Sequence, residues 1–107
     1  MAALNINHEQ FQNMMNEGKV VLVDFWAPWC SYCRRINPAY EKVADQYSAD
    51  ISVVKVNIDD EPRLAEQEQI EVIPTLVLYR DGNAIGSIVA PESKAAIDVF
   101  IQESLGK

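Results

Sequence analysis

Residues 20–25 read VVLVDF, an apolar run rich in β-branched side chains and interrupted only by Asp24. A strand that alternates so little is covered on both faces, which makes it the centre of a sheet. Covering both faces requires helices in front and behind, and this confines the chain to a layered α/β architecture. The remaining sequence supplies those layers. LNIN, residues 4–7, reads as a short strand, after which Asn7 and Gln10 fit a capping box. The helix they open turns Phe11, Met14 and Met15 inward and ends at Gly18. Ile36, Tyr40, Val43, Ala44 and Tyr47 recur at helical spacing up to about residue 47. ISVVKVNI, residues 51–58, is the next buried strand, and EPRLAEQEQI, residues 61–70, a short helix with Pro62 in its first turn.

TLVLY, residues 75–79, and AIGSIV, residues 84–89, flank RDGN. Asp-Gly between two strand-like runs predicts a hairpin. From Ser93 onward, Ile97, Phe100, Ile101 and Leu105 share one helical face. The order is β-α-β-α-β-α-β-β-α, a mixed sheet between helices with an antiparallel hairpin near the end. With no repeat, linker or low-complexity tract, residues 1–107 are expected to form one domain around one core.

Charge narrows the partners. Nine basic and sixteen acidic residues give a net charge of −7, which repels nucleic acid and anionic membrane surfaces. No apolar run approaches the roughly 18 residues of a membrane span. The opening MAALNINHEQ lacks the basic and apolar regions of a signal peptide, so a cytoplasmic location is expected.

The chain's only two cysteines, Cys30 and Cys33, lie in FWAPWCSYC, where the central strand gives way to a helix. A reducing compartment disfavours a permanent cross-link, and a loop this small constrains the unfolded chain little. Zinc is held by roughly four Cys or His ligands, and besides the cysteines the chain offers only His8. A metal would therefore need ligands from a second chain. Redox exchange suits the position better. At a helix start the Cys30 sulfur meets unpaired N–H groups and the positive end of the helix dipole, both of which favour thiolate. Cys33, one turn in, is expected to be more buried. Cys30 then attacks a target disulfide, and Cys33 resolves the mixed disulfide.

VLVDFWAPWCSYC, VVKVNID and VIPTLVLYRDG stand in an order, and nearly at a spacing, that resembles the thioredoxin family over almost the whole chain. The resemblance implies the thioredoxin fold, a five-stranded mixed sheet with four helices, and reduction of disulfide-containing proteins by a monomer. It implies no bound cofactor, only a redox-active Cys30–Cys33 pair recycled by a donor such as thioredoxin reductase, with NADPH as the indirect electron source. It matches Cys30 to the nucleophile and Cys33 to the resolving thiol. Asp24 corresponds to a buried acid, Lys55 to the lysine beside it, Trp29 to the tryptophan before the first thiol, and Pro74 to a cis-proline facing the disulfide. A cis Ile73–Pro74 bond would turn the Ile73 backbone outward to pair with an extended substrate.

Asp24 has a physical reading of its own: a carboxylate in an apolar strand is held protonated or partnered, and burial raises its pKa toward the range where it accepts a proton from Cys33. Pairing with Lys55 is the structural alternative. Trp26 is assigned to packing, Trp29 to an exposed rim, Arg34 and Arg35 to a solvated helix face, and Pro38 to a break in the helix hydrogen bonding.

Two departures stand out. Ser31-Tyr32 replaces the family's usual Gly-Pro, and Ala90 replaces its usual substrate-facing glycine. Tyr32 restores an N–H that proline lacks, and Ser31 adds a hydroxyl. If both donate to the Cys30 sulfur, the potential rises by tens of millivolts above the roughly −270 mV typical of thioredoxin. That leaves a more oxidising isomerase or weak oxidant as an alternative, beside a non-enzymatic binding module and a dimer sharing a metal or iron–sulfur cluster.

Overall fold

A computed structural model describes residues 2–106. Its elements are β1 (Leu4–Asn5), α1 (His8–Asn16), β2 (Val21–Trp26), α2 (Ser31–Gln46), β3 (Ser52–Asn57), α3 (Pro62–Gln67), β4 (Thr75–Arg80), β5 (Asn83–Val89) and α4 (Lys94–Ser104). The order is the one expected, and the five strands form one sheet in the order β1-β3-β2-β4-β5. β1, β3 and β2 run parallel, whereas β4 lies antiparallel to both β2 and β5. β2 thus has neighbours on either side, as its apolar run requires.

Alternation along the strands divides the core into two layers. Leu22, Leu76 and Leu78 point to the face covered by α2 and α4, where they meet Ile36, Tyr40, Val43 and Ile97. Val21, Val23, Phe25, Val54, Val56 and Val77 point to the other face, against Phe11 and Leu64. The single core expected from chain length is therefore two half-cores separated by the sheet. Phe11 meets Tyr79 edge-on at 5.3 Å, and the Tyr40 hydroxyl donates to the Leu22 and Val54 carbonyls, tying α2 to β2 and β3.

Helix ends form where their side chains allow. Asn7 caps α1 in a full capping box with Gln10, and Gly18 follows its end at φ +70°. Ser93 caps α4 through Ala96 N–H at 3.1 Å. Pro62 occupies the first turn of α3, and Pro38 lies within α2. The β4–β5 turn puts Asp81 and Gly82 at φ +54° and +80°, the pairing that a two-residue hairpin turn demands. Gly86 is required for another reason: a Cβ there would run into Ser104 and Phe100 of α4, so glycine lets that helix lie close on β5.

Candidate active site

β2 ends at Trp26, and a short turn, closed by Cys30 N–H donating to the Ala27 carbonyl at 3.1 Å, leads into α2. Cys30 is the N-cap of α2, with extended backbone, and its Sγ accepts a hydrogen bond from the Cys33 N–H at 3.2 Å. The two cysteines are joined as a disulfide with their Cα atoms 5.3 Å apart. Cys33 is buried at 2% exposure, while Cys30 is half-exposed. Only one of the two sulfurs is thus open to a partner. A thiolate formed at Cys30 sits at the positive end of a helix of 16 residues.

Among the described residues, the bond to the Cys30 sulfur comes from Cys33 and not from Ser31 or Tyr32. In this disulfide-bonded state the donor is thus Cys33 rather than the two residues expected to serve the thiolate. The Tyr32 side chain turns to the α2–α4 core layer, and its hydroxyl donates to the Pro91 carbonyl at 2.8 Å. Ser31 is exposed.

Beneath Cys33 lies a cavity of about 200 Å³ lined by Asp24, Trp26, Cys33, Arg34, Asn37 and Lys55. One water needs roughly 10–15 Å³ of such space, so there is room for water between thiol and carboxylate. Strand parity explains the meeting: Asp24 shares the α2-facing side of β2 with Leu22, and its neighbour across the β2–β3 ladder is Lys55. Asp24 is 1% exposed, and its Oδ1 has no hydrogen-bond partner among the described residues. Burial lifts its pKa from 3.8 to about 7; the Lys55 charge pulls it down and the Glu41 charge pushes it up.

The expected Asp24–Lys55 pairing holds as an adjacency in register, with the ammonium's close partners elsewhere. Lys55 Nζ donates to Asn37 Oδ1 at 3.1 Å, lies 4.0 Å from Glu41 Oε2 and stands 4.8 Å from the centre of the Trp26 ring. Burial, which outweighs the pull of the neighbouring cation, leaves this carboxyl group able to exchange a proton near neutral pH.

Around the disulfide, Trp29 is 66% exposed, with its indole N–H directed at the Asp59 carboxylate at 3.2 and 3.0 Å. Trp26, half-buried, donates to Asn5 Oδ1 at 2.7 Å. The Ile73–Pro74 bond is cis, as the resemblance implies, and Val72 before it is 52% exposed. Ala90 N–H donates to the Pro74 carbonyl at 2.9 Å, which brings the third rim segment beside the second. Ala90 holds φ +46° despite its side chain. Arg34 and Arg35 are exposed, as expected, and Arg34 Nη1 donates to the Pro28 carbonyl at 2.6 Å.

Sequence reasoning missed Asn37, Glu41, Asp59 and Pro91. The first two were within reach: Cys33, Asn37 and Glu41 follow one another at four-residue spacing and so lie on one face of α2. Among the described residues, no cluster of three or more His, Cys, Asp or Glu side chains is arranged to hold a metal, and the ring of His8 instead meets Gln67 Oε1 at 3.1 Å.

A sequence profile described as thioredoxin matches residues 2–103. Thioredoxin 1 from Synechococcus elongatus is 42% identical over 86 residues, 80% of each chain. Thioredoxin 1 from Nostoc sp. is 37% identical over 105 residues, covering 97% of this chain and 98% of that one. Among solved structures, oxidised mitochondrial thioredoxin 3 from Saccharomyces cerevisiae superposes with a TM-score of 0.82 at 29% identity, over 95% of this chain and 94% of its own.

Proposed function

This chain belongs to the thioredoxin family and is a thiol–disulfide oxidoreductase, and on that premise we propose that it reduces disulfides of other proteins in the cytoplasm. It does so as a one-domain monomer recycled by a reductase that draws on NADPH. The observation that carries the division of labour between the thiols is the asymmetry of the pair: an accessible Cys30 at a helix N-terminus above a buried Cys33 that shares a cavity with Asp24.

The cycle follows from that geometry. In the reduced protein, Cys30 thiolate attacks one sulfur of the substrate disulfide, forming a Cys30–substrate bond and expelling the other substrate sulfur as thiolate. Cys33 then loses its proton through cavity water to Asp24, and its thiolate attacks Cys30 Sγ. The internal disulfide forms, the second substrate sulfur leaves, and two electrons have passed to the substrate. A reductase returns them. The substrate segment is supported by the Ile73 backbone, Pro74, Trp29 and Ala90, with Ser31 and Tyr32 at the edge.

Trapping tests the assignment. Cys33→Ser is expected to accumulate a mixed disulfide through Cys30 on target proteins, and Cys30→Ser to trap little. Equal trapping by the two variants refutes the division of roles, and none by either refutes the reductase.

A further inference from the structure

Tyr32 and Ala90, the two departures from the family pattern, belong to one connected structure. The Tyr32 ring packs into the α2–α4 core layer, and its hydroxyl reaches the carbonyl of Pro91, a buried residue. Pro91 directly follows Ala90, whose φ of +46° lies in the left-handed region that a Cβ resists and glycine does not. The same turn is tied on its other side by Ala90 N–H to the Pro74 carbonyl. A residue that opposes its own conformation is thus pinned between α2 and the Ile73–Pro74 segment.

We propose that the Tyr32 hydroxyl is a positioning latch, holding the Ala90–Pro91 turn in its left-handed shape so that the rim beside Pro74 fits an extended substrate segment. The proposal rests on the reductase reading and adds a residue to it. Without the hydroxyl, the part-buried Pro91 carbonyl loses its donor. Ala90 is then free to relax toward negative φ, which draws its N–H away from Pro74 and changes the rim. The hydroxyl's hydrogen bond goes to Pro91, away from Cys30 Sγ and Asp24, so its loss is expected to fall on recognition rather than on the exchange step. In this chain a tyrosine on α2 does by hydrogen bonding what a glycine at position 90 would do by having no side chain.

Tyr32→Phe removes the hydroxyl and keeps the packed ring. The probe is insulin reduction with dithiothreitol as donor, run as a double-mutant cycle with Ala90→Gly. One neutral hydrogen bond corresponds to about a fivefold change, so Tyr32→Phe is expected to raise KM about fivefold while kcat moves less than twofold. In the Ala90→Gly background the same change is expected to raise KM less than twofold, since glycine adopts the turn unaided. Equal KM effects in both backgrounds, no effect in either, or an effect confined to kcat overturns the latch. Amide exchange reads the latch without turnover: the Ala90 N–H is expected to exchange about fivefold faster in Tyr32→Phe, and unchanged protection refutes the latch. A wild type that fails to reduce insulin while this exchange effect is present refutes the reductase and leaves the latch standing.

Discussion

Replacing Asp24 by Asn makes the buried carboxylate measurable as a pH dependence of stability. Its pKa is 3.8 in the reference state and about 7 in the fold, raised by burial. The native state therefore holds the extra proton, so wild-type stability falls as pH rises from about 4 through 7, and the penalty persists above that. Each pKa unit corresponds to 1.36 kcal/mol, which sets the full penalty at about 4 kcal/mol, of which about 3 kcal/mol develops between pH 5 and 8.5. Asn carries no charge at any of these pH values. It leaves an amide in the same poorly partnered site, at a cost of about 1–3 kcal/mol that does not vary with pH. The two effects separate cleanly. Urea unfolding of the oxidised protein, wild type and Asp24→Asn, is measured from pH 5 to 8.5. The stability of the variant relative to the wild type is expected to climb by about 3 kcal/mol across that range, with the other titrating groups cancelling in the difference. Asp24→Asn is expected to be the more stable protein at the alkaline end and, on the proposed cycle, to reduce disulfides more slowly because Cys33 loses its proton acceptor. A difference that stays flat with pH refutes the buried, protonated carboxylate, whatever the activity does.

Lys55→Gln removes the charge that pulls the Asp24 pKa down; the midpoint of the same stability curve is expected to move to alkaline pH by about one unit, and an unmoved midpoint excludes the coupling. The Ser31→Gly/Tyr32→Pro double variant keeps the Cys33 N–H that donates to Cys30 Sγ. Its potential in a glutathione titration is therefore expected to fall by less than about 30 mV, whereas a fall of about 60 mV or more assigns the tuning to residues 31 and 32.

The sheet and its helices were legible because hydrophobic spacing and caps agree with the fold. VVLVDF reads as a covered strand and occupies the sheet centre, and Asn7, Gly18 and Ser93 stand at helix boundaries. Edges moved where the chain is engaged elsewhere, and the strand expected over residues 4–7 stops at Asn5 because Asn7 turns to cap α1. In the site, Cys30, Cys33 and Asp24 announce themselves as polar or reactive side chains in apolar surroundings. Pro91 could not be found that way, since it contributes a carbonyl that every residue possesses. The redirection of Tyr32 was hidden for a related reason. Its role depends on a partner 59 positions away, and neither residue carries a local pattern that names the other.

One helical turn separates Cys30 from Cys33, which in the proposed cycle are the thiol that captures a partner and the thiol that releases it. Any other thiol that would break the mixed disulfide must arrive by collision, at its concentration in solution. Cys33 is already in place, and well-oriented intramolecular groups act at effective molarities of about 10⁵ M or more. In that cycle release is first order, set by how readily the buried Cys33 gives up its proton. The lifetime of the covalent complex becomes a property of the fold, independent of the abundance of other thiols around it.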